Sequence, residues 1–177
     1  TQADGAATTS PRDPALAALI IAAGLAPCPD SDRTAVAIEP IGRVGGGLPV
    51  LTLPCLGDGP DVVLSGLRGT PMLINIWASW CPPCIAEMPY LAQLWERHKD
   101  RGFQVLAINV DEDIELAREF ARQFDLPFPL LRDEKRAVST LYRVPGFPTH
   151  YIVDRSGHIR FSGLGFNLAD VGAVSQE

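Results

Sequence analysis

The stretch from Met72 to Lys99 constrains the fold of this chain more than any other part. It opens with the almost unbroken apolar run Met72–Trp77, which is typical of a strand buried on both faces of a sheet. It continues with apolar residues at helical spacing, and Cys81-Pro82-Pro83-Cys84 stands between the two parts. The pattern therefore predicts that the first cysteine lies where a buried strand gives way to a helix.

A cysteine at such a junction is expected to be reactive. Only the thiolate attacks a disulfide, and unpaired N–H groups and the dipole at a helix N-terminus stabilise that anion. Pro82 suits the first helical position because it has no N–H to leave unpaired. Two intervening residues bring Cys84 close enough to Cys81 for a disulfide. The alternative is half of a zinc site, but Cys28 and Cys55 supply no second closely spaced pair.

Composition narrows the class of protein. With 177 residues and a mean hydropathy of +0.10, the chain is long and apolar enough for one globular unit with a sizeable core. Its net charge of −6 and the lack of a basic block argue against a nucleic-acid partner. We expect no cofactor and no metal.

The first third of the chain is predicted to be an extension of the main domain. Residues 1–12 are polar and small and indicate a flexible tether. Residues 13–60 begin with the short apolar helix 15–23, which is too short for a bilayer that needs about twenty residues. It is expected to dock on the surface, with the remnant of a membrane anchor as the alternative, and a true anchor would lie upstream of residue 1. Residues 61–177 form the main domain, within one globular unit 13–177.

Two further features lie in this extension. Cys28 and Cys55 flank loop-rich sequence that has little else to fix it, so we predict a disulfide, which would indicate an oxidising compartment. Two buried free thiols are the alternative. Gly45-Gly46-Gly47 lacks the Lys and helix that follow a phosphate loop, and it is predicted to be a flexible turn.

The remaining pattern alternates strands with helices, which predicts an α/β fold: a central sheet flanked by helices. Strands are expected at 48–53, 62–64, 72–77, 103–110, 126–131, 149–153 and 158–161, and helices after Cys84, after Asp113, at 137–142 and from Asn167. Pro145 and Pro148 bracket Gly146-Phe147 and enforce a turn before the strand at 149–153. A cis X-Pro bond is often kept at such a place.

Taken together, these motifs resemble the thioredoxin superfamily, and the resemblance implies a thioredoxin-like fold with a central mixed sheet flanked by helices. Trp80 and the Cys-x-x-Cys at a strand–helix junction, followed by Phe147-Pro148-Thr149, carry that resemblance. Glu87-Met88-Pro89 after Cys84, and a helix–strand insert at 113–131, resemble the TlpA/ResA group within it. That group comprises extracytoplasmic, often membrane-anchored thiol–disulfide oxidoreductases. The resemblance implies an enzyme in the periplasm or at the cell surface, client proteins with cysteine pairs, and a membrane electron donor.

The resemblance also implies roles for individual residues. Cys81 would be the attacking thiolate and Cys84 the resolving thiol. Pro148 would be a cis-proline facing the pair, Phe147 would offer backbone hydrogen bonds to a substrate peptide, and Trp80 would shape the rim.

The resemblance matches Glu87 to an acidic residue that this group carries. Spacing alone puts Glu87 on the helix face of Cys84, where a partly buried carboxylate could relay protons; a solvated surface Glu is the alternative. Thioredoxins carry a buried Asp where this chain has Asn75, and Asn cannot act as a base. His150 follows Pro148 closely and is predicted to be structural.

Other readings of the motif are weaker. Peroxiredoxins place a Thr where this chain has Ala78, and copper-chaperone relatives use Cys-x-x-x-Cys. We predict a reducing protein, because a Pro-Pro dipeptide lacks the extra donor that a His would place beside the thiolate. The expected clients are cysteine pairs in apocytochrome c or in copper-centre assembly. Oxidative folding of secreted proteins, and a non-catalytic module that binds a metal such as Cu(I), are the alternatives.

Overall fold

The computed structural model of the chain describes residues 25–57 and 59–165. The predicted tether, the short helix at 15–23 and the predicted helix from Asn167 lie outside these residues. Within them, no helix combines the length and the apolar character needed to cross a membrane.

The described part of the chain contains seven strands and three α-helices. The strands are β1 (Thr52–Leu53), β2 (Val62–Val63), β3 (Met72–Trp77), β4 (Gln104–Asn109), β5 (Leu130–Arg132), β6 (Thr149–Val153) and β7 (Ile159–Leu164). The helices are α1 (Pro82–His98), α2 (Ile114–Gln123) and α3 (Ala137–Tyr142). Short 3-10 turns occupy Leu64–Gly66 and Lys99–Arg101.

Five of the strands form one mixed sheet in the order β5-β4-β3-β6-β7. β3 runs parallel to β4, β4 runs parallel to β5, and the pairings of β3 with β6 and of β6 with β7 are antiparallel. β1 and β2 form a separate two-stranded ribbon. The predicted α/β class, with a central mixed sheet and a helix–strand insert formed by α2 and β5, is confirmed.

β3 lies at the centre of the sheet, and all six of its residues are buried. The register of β3 with β6 determines which side chains of the two strands lie next to each other. Asn75 faces His150 of β6 across the antiparallel pair, and Ile76 faces Thr149 one step further along. The carboxyl end of β3 and the start of β6 are therefore side by side.

Local sequence explains why the helices begin and end where they do. Cys81 is the N-cap of α1, with Pro82 and Pro83 in the first turn where their missing N–H groups cost nothing. After α1 and the following 3-10 turn, Gly102 adopts a left-handed conformation with φ +78°. Asp113 caps α2 by accepting a hydrogen bond from the Glu115 N–H at 2.9 Å.

The extension covers both edges of the sheet. At β5, the Leu56 N–H donates to the Leu130 carbonyl, and the Arg132 N–H donates to the Pro54 carbonyl. At β7, Ile159 exchanges hydrogen bonds with the Gly45 N–H and the Gly46 carbonyl. An open strand edge invites pairing with another chain, and these bonds occupy part of each edge.

The triglycine segment is therefore a hydrogen-bonded turn, which confirms the predicted turn, and its flexibility stays a prediction. Its glycines are needed for close approach: a Cβ on Gly46 would overlap the backbone of Pro40, which follows a cis Glu39–Pro40 bond. The Gly47 N–H also donates to the Ile38 carbonyl at 2.7 Å. These hydrogen bonds join the glycines to other segments of the backbone, and composition alone does not reveal such pairing.

Cys28 and Cys55 are joined in a disulfide with a Cα–Cα distance of 6.0 Å. Cys28 is buried against the core, and Cys55 pairs with Leu131 next to the sheet edge. The disulfide thus joins two segments of the extension, and the backbone pairing of Cys55 with Leu131 attaches them to the sheet. The division at residue 60 stays a prediction, and the β1–β2 ribbon crosses it.

Several predicted strands differ in length from the observed ones. The expected strand at 48–53 shrinks to Thr52–Leu53, and the one at 126–131 becomes Leu130–Arg132. Prolines at positions 49, 127 and 129 cannot donate to a ladder, which explains both losses. β7 runs on to Leu164 beyond the predicted end at 161, because it pairs with β6 along its length.

Removing the extension's disulfide should destabilise the chain. In a Cys81→Ser/Cys84→Ser background, adding Cys28→Ser/Cys55→Ser should lower the free energy of unfolding by about 3–4 kcal/mol, because the bridge restricts the unfolded chain over a loop of about 28 residues. Urea denaturation of the two chains measures the difference. A loss below about 1 kcal/mol would contradict a stabilising role for the bridge.

Candidate functional site

The site lies where the carboxyl end of β3 meets the N-terminus of α1. Cys81 and Cys84 form a disulfide there, with a Cα–Cα distance of 5.3 Å, so the structure represents the oxidised form. The Cys81 sulfur accepts a hydrogen bond from the Cys84 N–H at 3.3 Å. The same backbone donor would stabilise a Cys81 thiolate after reduction, as expected at a helix N-terminus.

The two cysteines differ in their access to solvent. Cys81 is 5% exposed and Cys84 is completely buried, so the first cysteine is the more accessible of the two. Beside Cys81, the Trp80 side chain is 55% exposed. This asymmetry favours Cys81 as the sulfur that exchanges with other molecules.

Phe147 and Pro148 lie at the site in the turn that directly precedes β6. The Phe147–Pro148 bond is cis, as the paired prolines suggested. Phe147 packs edge-on against Trp80 with ring centroids 5.9 Å apart. Pro148 directly precedes Thr149, which pairs with Ile76 near the end of β3. The structure thus brings Trp80, Phe147 and Pro148 to one end of the sheet with the cysteine pair.

A buried carboxylate holds the loop that leads into Cys81. Asp111, which is 1% exposed, accepts hydrogen bonds from the Ser79 N–H at 3.1 and 3.2 Å and from Asn109 Nδ2 at 2.8 Å. Asn109 Oδ1 in turn accepts from the Asp111 N–H at 2.9 Å. Hydrogen bonds to a charged acceptor are the strong ones, so Ser79 is fixed two residues before Cys81.

The positively charged side chain of Arg136 lies beside Trp80. The Arg136 guanidinium carbon is 5.8 Å from the centre of the Trp80 ring, within the range of a cation–π interaction. Asp133 supports this region by accepting from the Ala137 and Val138 N–H groups at the start of α3. Burial raises the pKa of Asp133, and those N–H donors offset part of the rise.

Glu87 lies one helical turn beyond Cys84 and is 7% exposed. The alternative of a solvated surface Glu is therefore wrong. Its Oε1 atom accepts a hydrogen bond from Asn75 Nδ2 at 2.7 Å and lies 2.8 Å from His150 Nε2. Asn75 Nδ2 also lies 3.0 Å from His150 Nε2, so the three polar groups contact one another inside the core.

Sequence reasoning missed His150 as a neighbour of Glu87. The signal was available: Asn75 and His150 are polar positions in two strands that are otherwise mostly apolar. Recognising their contact requires the register of β3 and β6, which pairs them directly. Within the described residues, no three His, Cys, Asp or Glu side chains converge as a metal site.

Comparison with known proteins gives concordant matches. A model of the AhpC/TSA family matches residues 44–162. The thiol-disulfide oxidoreductase ResA of Geobacillus kaustophilus is 35% identical over 130 residues, which are 73% of this chain and 71% of that protein. The first two ResA relatives are matched over 62% and 59% of their length, so the chain spans about three fifths of them.

Solved structures of thiol–disulfide oxidoreductases also match this chain. The crystal structure of a protein from Chlorobium tepidum assigned as the thiol:disulfide interchange protein DsbE has a TM-score of 0.66 and 35% identity, covering 73% of this chain and 91% of that one. The thioredoxin domain of a thiol-disulfide oxidoreductase from Bacteroides vulgatus, 24% identical, has a TM-score of 0.67 and covers 76% and 96%. The second likeness shows the fold alone, and it confirms the predicted thioredoxin-like architecture.

The loop anchor can be tested by an isosteric substitution. Asp111→Asn should lower the free energy of unfolding by about 1.5–3 kcal/mol, because an amide nitrogen then faces N–H donors inside the core. Asp113→Asn is the matched control: Asn caps a helix as well as Asp does, so little change is expected. Urea denaturation compares the two. Equal effects of both substitutions would rule out a special role for the Asp111 carboxylate.

Proposed function

This chain belongs to the AhpC/TSA family, and we propose that within it the protein is a thiol–disulfide oxidoreductase that works through Cys81 and Cys84. The single observation that carries the proposal is the Cys81–Cys84 disulfide at the N-terminus of α1, in which Cys81 is 5% exposed and Cys84 is completely buried. Two cysteines that already pair in a strand–helix junction are equipped for disulfide exchange. The ResA and DsbE relatives support the same reaction.

The geometry supports a two-step exchange. The Cys81 thiolate attacks a client disulfide, forming a Cys81–client bond while the other client sulfur leaves as a thiolate. Cys84 then gives up its proton and attacks Cys81, so that the Cys81–Cys84 bond forms and the second client sulfur leaves. Two electrons pass from the cysteine pair to the client, and an external dithiol must supply two electrons to reopen the Cys81–Cys84 disulfide.

The rim supports the roles assigned to the other site residues. We assign Trp80 and Phe147, which pack edge to face, to the apolar surface that receives the client segment. Pro148 directly precedes β6 beside the end of β3, where an extended client peptide can lie next to Cys81. Backbone hydrogen bonds from Phe147 to that peptide remain part of the proposal.

The cellular setting is proposed on separate grounds. The Cys28–Cys55 disulfide supports an oxidising, extracytoplasmic compartment, because structural disulfides rarely persist in the cytoplasm. The resemblance to the TlpA/ResA group supports clients in cytochrome c maturation or copper-centre assembly, a membrane electron donor, and an anchor upstream of residue 1. We infer the reducing direction from the Pro-Pro dipeptide between the cysteines.

Trapping the mixed disulfide tests the assignment of the two cysteines. Reduced Cys84→Ser should form a stable adduct with insulin, because nothing remains to resolve the Cys81–client bond. Cys81→Ser is the matched control and should form none, because Cys84 is buried. Both variants should lose insulin reduction by more than about 1,000-fold. Mass spectrometry counts the adducts, and equal trapping by the two variants would contradict the assignment.

The direction of electron flow has its own measurement. Equilibration of the wild-type chain with dithiothreitol and glutathione buffers should give a midpoint potential well below about −150 mV, within the reducing half of the range for this fold. Alkylation and mass spectrometry report the oxidised fraction. A potential above about −150 mV would favour oxidative folding of secreted proteins instead.

A further inference from the structure

Glu87 and His150 form a buried pair beneath the cysteine site. Their side chains are 8% and 2% exposed, and the Glu87 Oε1 to His150 Nε2 distance is 2.8 Å. Glu87 comes from α1 and His150 from β6, so the pair joins the helix of the cysteines to the sheet. Such a short approach between a carboxylate oxygen and a ring nitrogen requires a proton between them.

The other nitrogen of His150 also faces a hydrogen-bond acceptor. His150 Nδ1 lies 3.2 Å from the Gly165 carbonyl oxygen, which can only accept, so a bond there takes its proton from Nδ1. The short distance between Nε2 and Glu87 Oε1 then places a shared proton between those two atoms.

The Asn75 amide can hydrogen-bond both Glu87 and His150 when the shared proton is absent. Its amide nitrogen lies 2.7 Å from Glu87 Oε1 and 3.0 Å from His150 Nε2, and it carries two hydrogens. When the shared proton leaves, these hydrogens can satisfy both atoms and reduce the repulsion between them. An Asp at this position would add a negative charge and supply no such donor, so Asn suits a pair that gains and loses one proton.

The pair is placed where Cys84 needs a proton partner. Cys84 and Glu87 are three residues apart in α1, share a helix face and are both buried. On the helix the other titratable group near them is Cys81, and from the sheet Asn75 and His150 face Glu87. The buried Asp111 carboxylate at the end of β4 is engaged by Ser79 and Asn109.

We propose that His150 is a positioning residue that keeps one proton on Glu87 while Cys84 is in the disulfide. The inference rests on the proposed function. When a donor thiolate attacks Cys81, the donor–Cys81 bond forms, the Cys81–Cys84 bond breaks, and its electron pair goes to the Cys84 sulfur. Glu87 passes the stored proton to that sulfur. When Cys84 later attacks the mixed disulfide, its proton returns to Glu87.

The test separates the two sulfurs in one reaction with 5,5′-dithiobis(2-nitrobenzoate). The reduced protein releases a first coloured thiolate when Cys81 attacks and a second when Cys84 resolves the adduct. In His150→Gln, the first phase should stay within about twofold of wild type. The second should slow by about tenfold or more at neutral pH, and its pH profile should change, because Gln cannot carry a proton.

Further variants decide whether the pair acts as a unit. Glu87→Gln should slow the second phase at least as much, and the double variant should be no slower than Glu87→Gln alone. His158→Gln, on the hairpin between β6 and β7, is the matched control and should leave both phases unchanged. Additive losses in the double variant, or a wild-type second phase and pH profile in His150→Gln, would overturn the inference.

Failure of the proposed function has a different signature. If the wild-type chain shows no first phase, Cys81 is not the nucleophile, and the function and the inference fall together. If the first phase is normal and the second ignores His150, the inference alone fails.

A measurement on the unmodified chain covers the case in which His150→Gln does not fold. ¹⁵N NMR of labelled histidines should show His150 Nδ1 protonated in both the oxidised and the reduced protein. The Nε2 signal should differ between the two forms, because Glu87 has lost the shared proton in one of them. His98 and His158 serve as internal references. Identical Nε2 signals in both forms at every pH would overturn the inference.

Discussion

The burial of β3 at the centre of the sheet is the constraint on which the rest of the structure depends. Each of its residues is buried, and its backbone pairs with β4 on one side and β6 on the other. Because β3 cannot shift by one residue without moving its side chains to the opposite face, its carboxyl end has one allowed position. Cys81 and the start of α1 follow that end closely, so their positions are fixed as well.

Polar groups in the core depend on the same register. Asp111, Asn75, Glu87 and His150 are all buried, and burying such groups is costly unless each finds partners. Asp111 binds the loop before Cys81, whereas Asn75 and His150 bind Glu87 behind Cys84. One set therefore lies beside the loop that leads to Cys81, and the other lies on the helix face of Cys84. In our proposal the second set is the proton partner of Cys84.

The extension pairs with both outer strands of the sheet. Its backbone bonds to β5 and to Ile159 at the start of β7, and the Cys28–Cys55 disulfide joins two of its own segments. The two disulfides have different surroundings: Cys28 and Cys55 join segments of the extension, while Cys81 and Cys84 lie at the start of α1, where we propose that they exchange. The distinction follows from position, since the first pair lies at a sheet edge and the second caps a helix.

Much of this architecture could be read from local pattern. The apolar run of β3, the helical spacing of α1 and the prolines around Phe147 each act over a few residues, so they predict the fold and most of the site. The pattern overestimates two strands that prolines shorten, and it does not show the hydrogen bonds of the triglycine segment, because those bonds join it to distant residues such as Ile159.

By itself the sequence determined the two cysteines, their strand–helix junction and the helix face shared by Cys84 and Glu87, because those relations are set by short-range geometry. Only the tertiary structure decided that Glu87 is buried and that His150 faces it. Asn75 and His150 are 75 positions apart, and nothing but the antiparallel register of β3 and β6 brings them together.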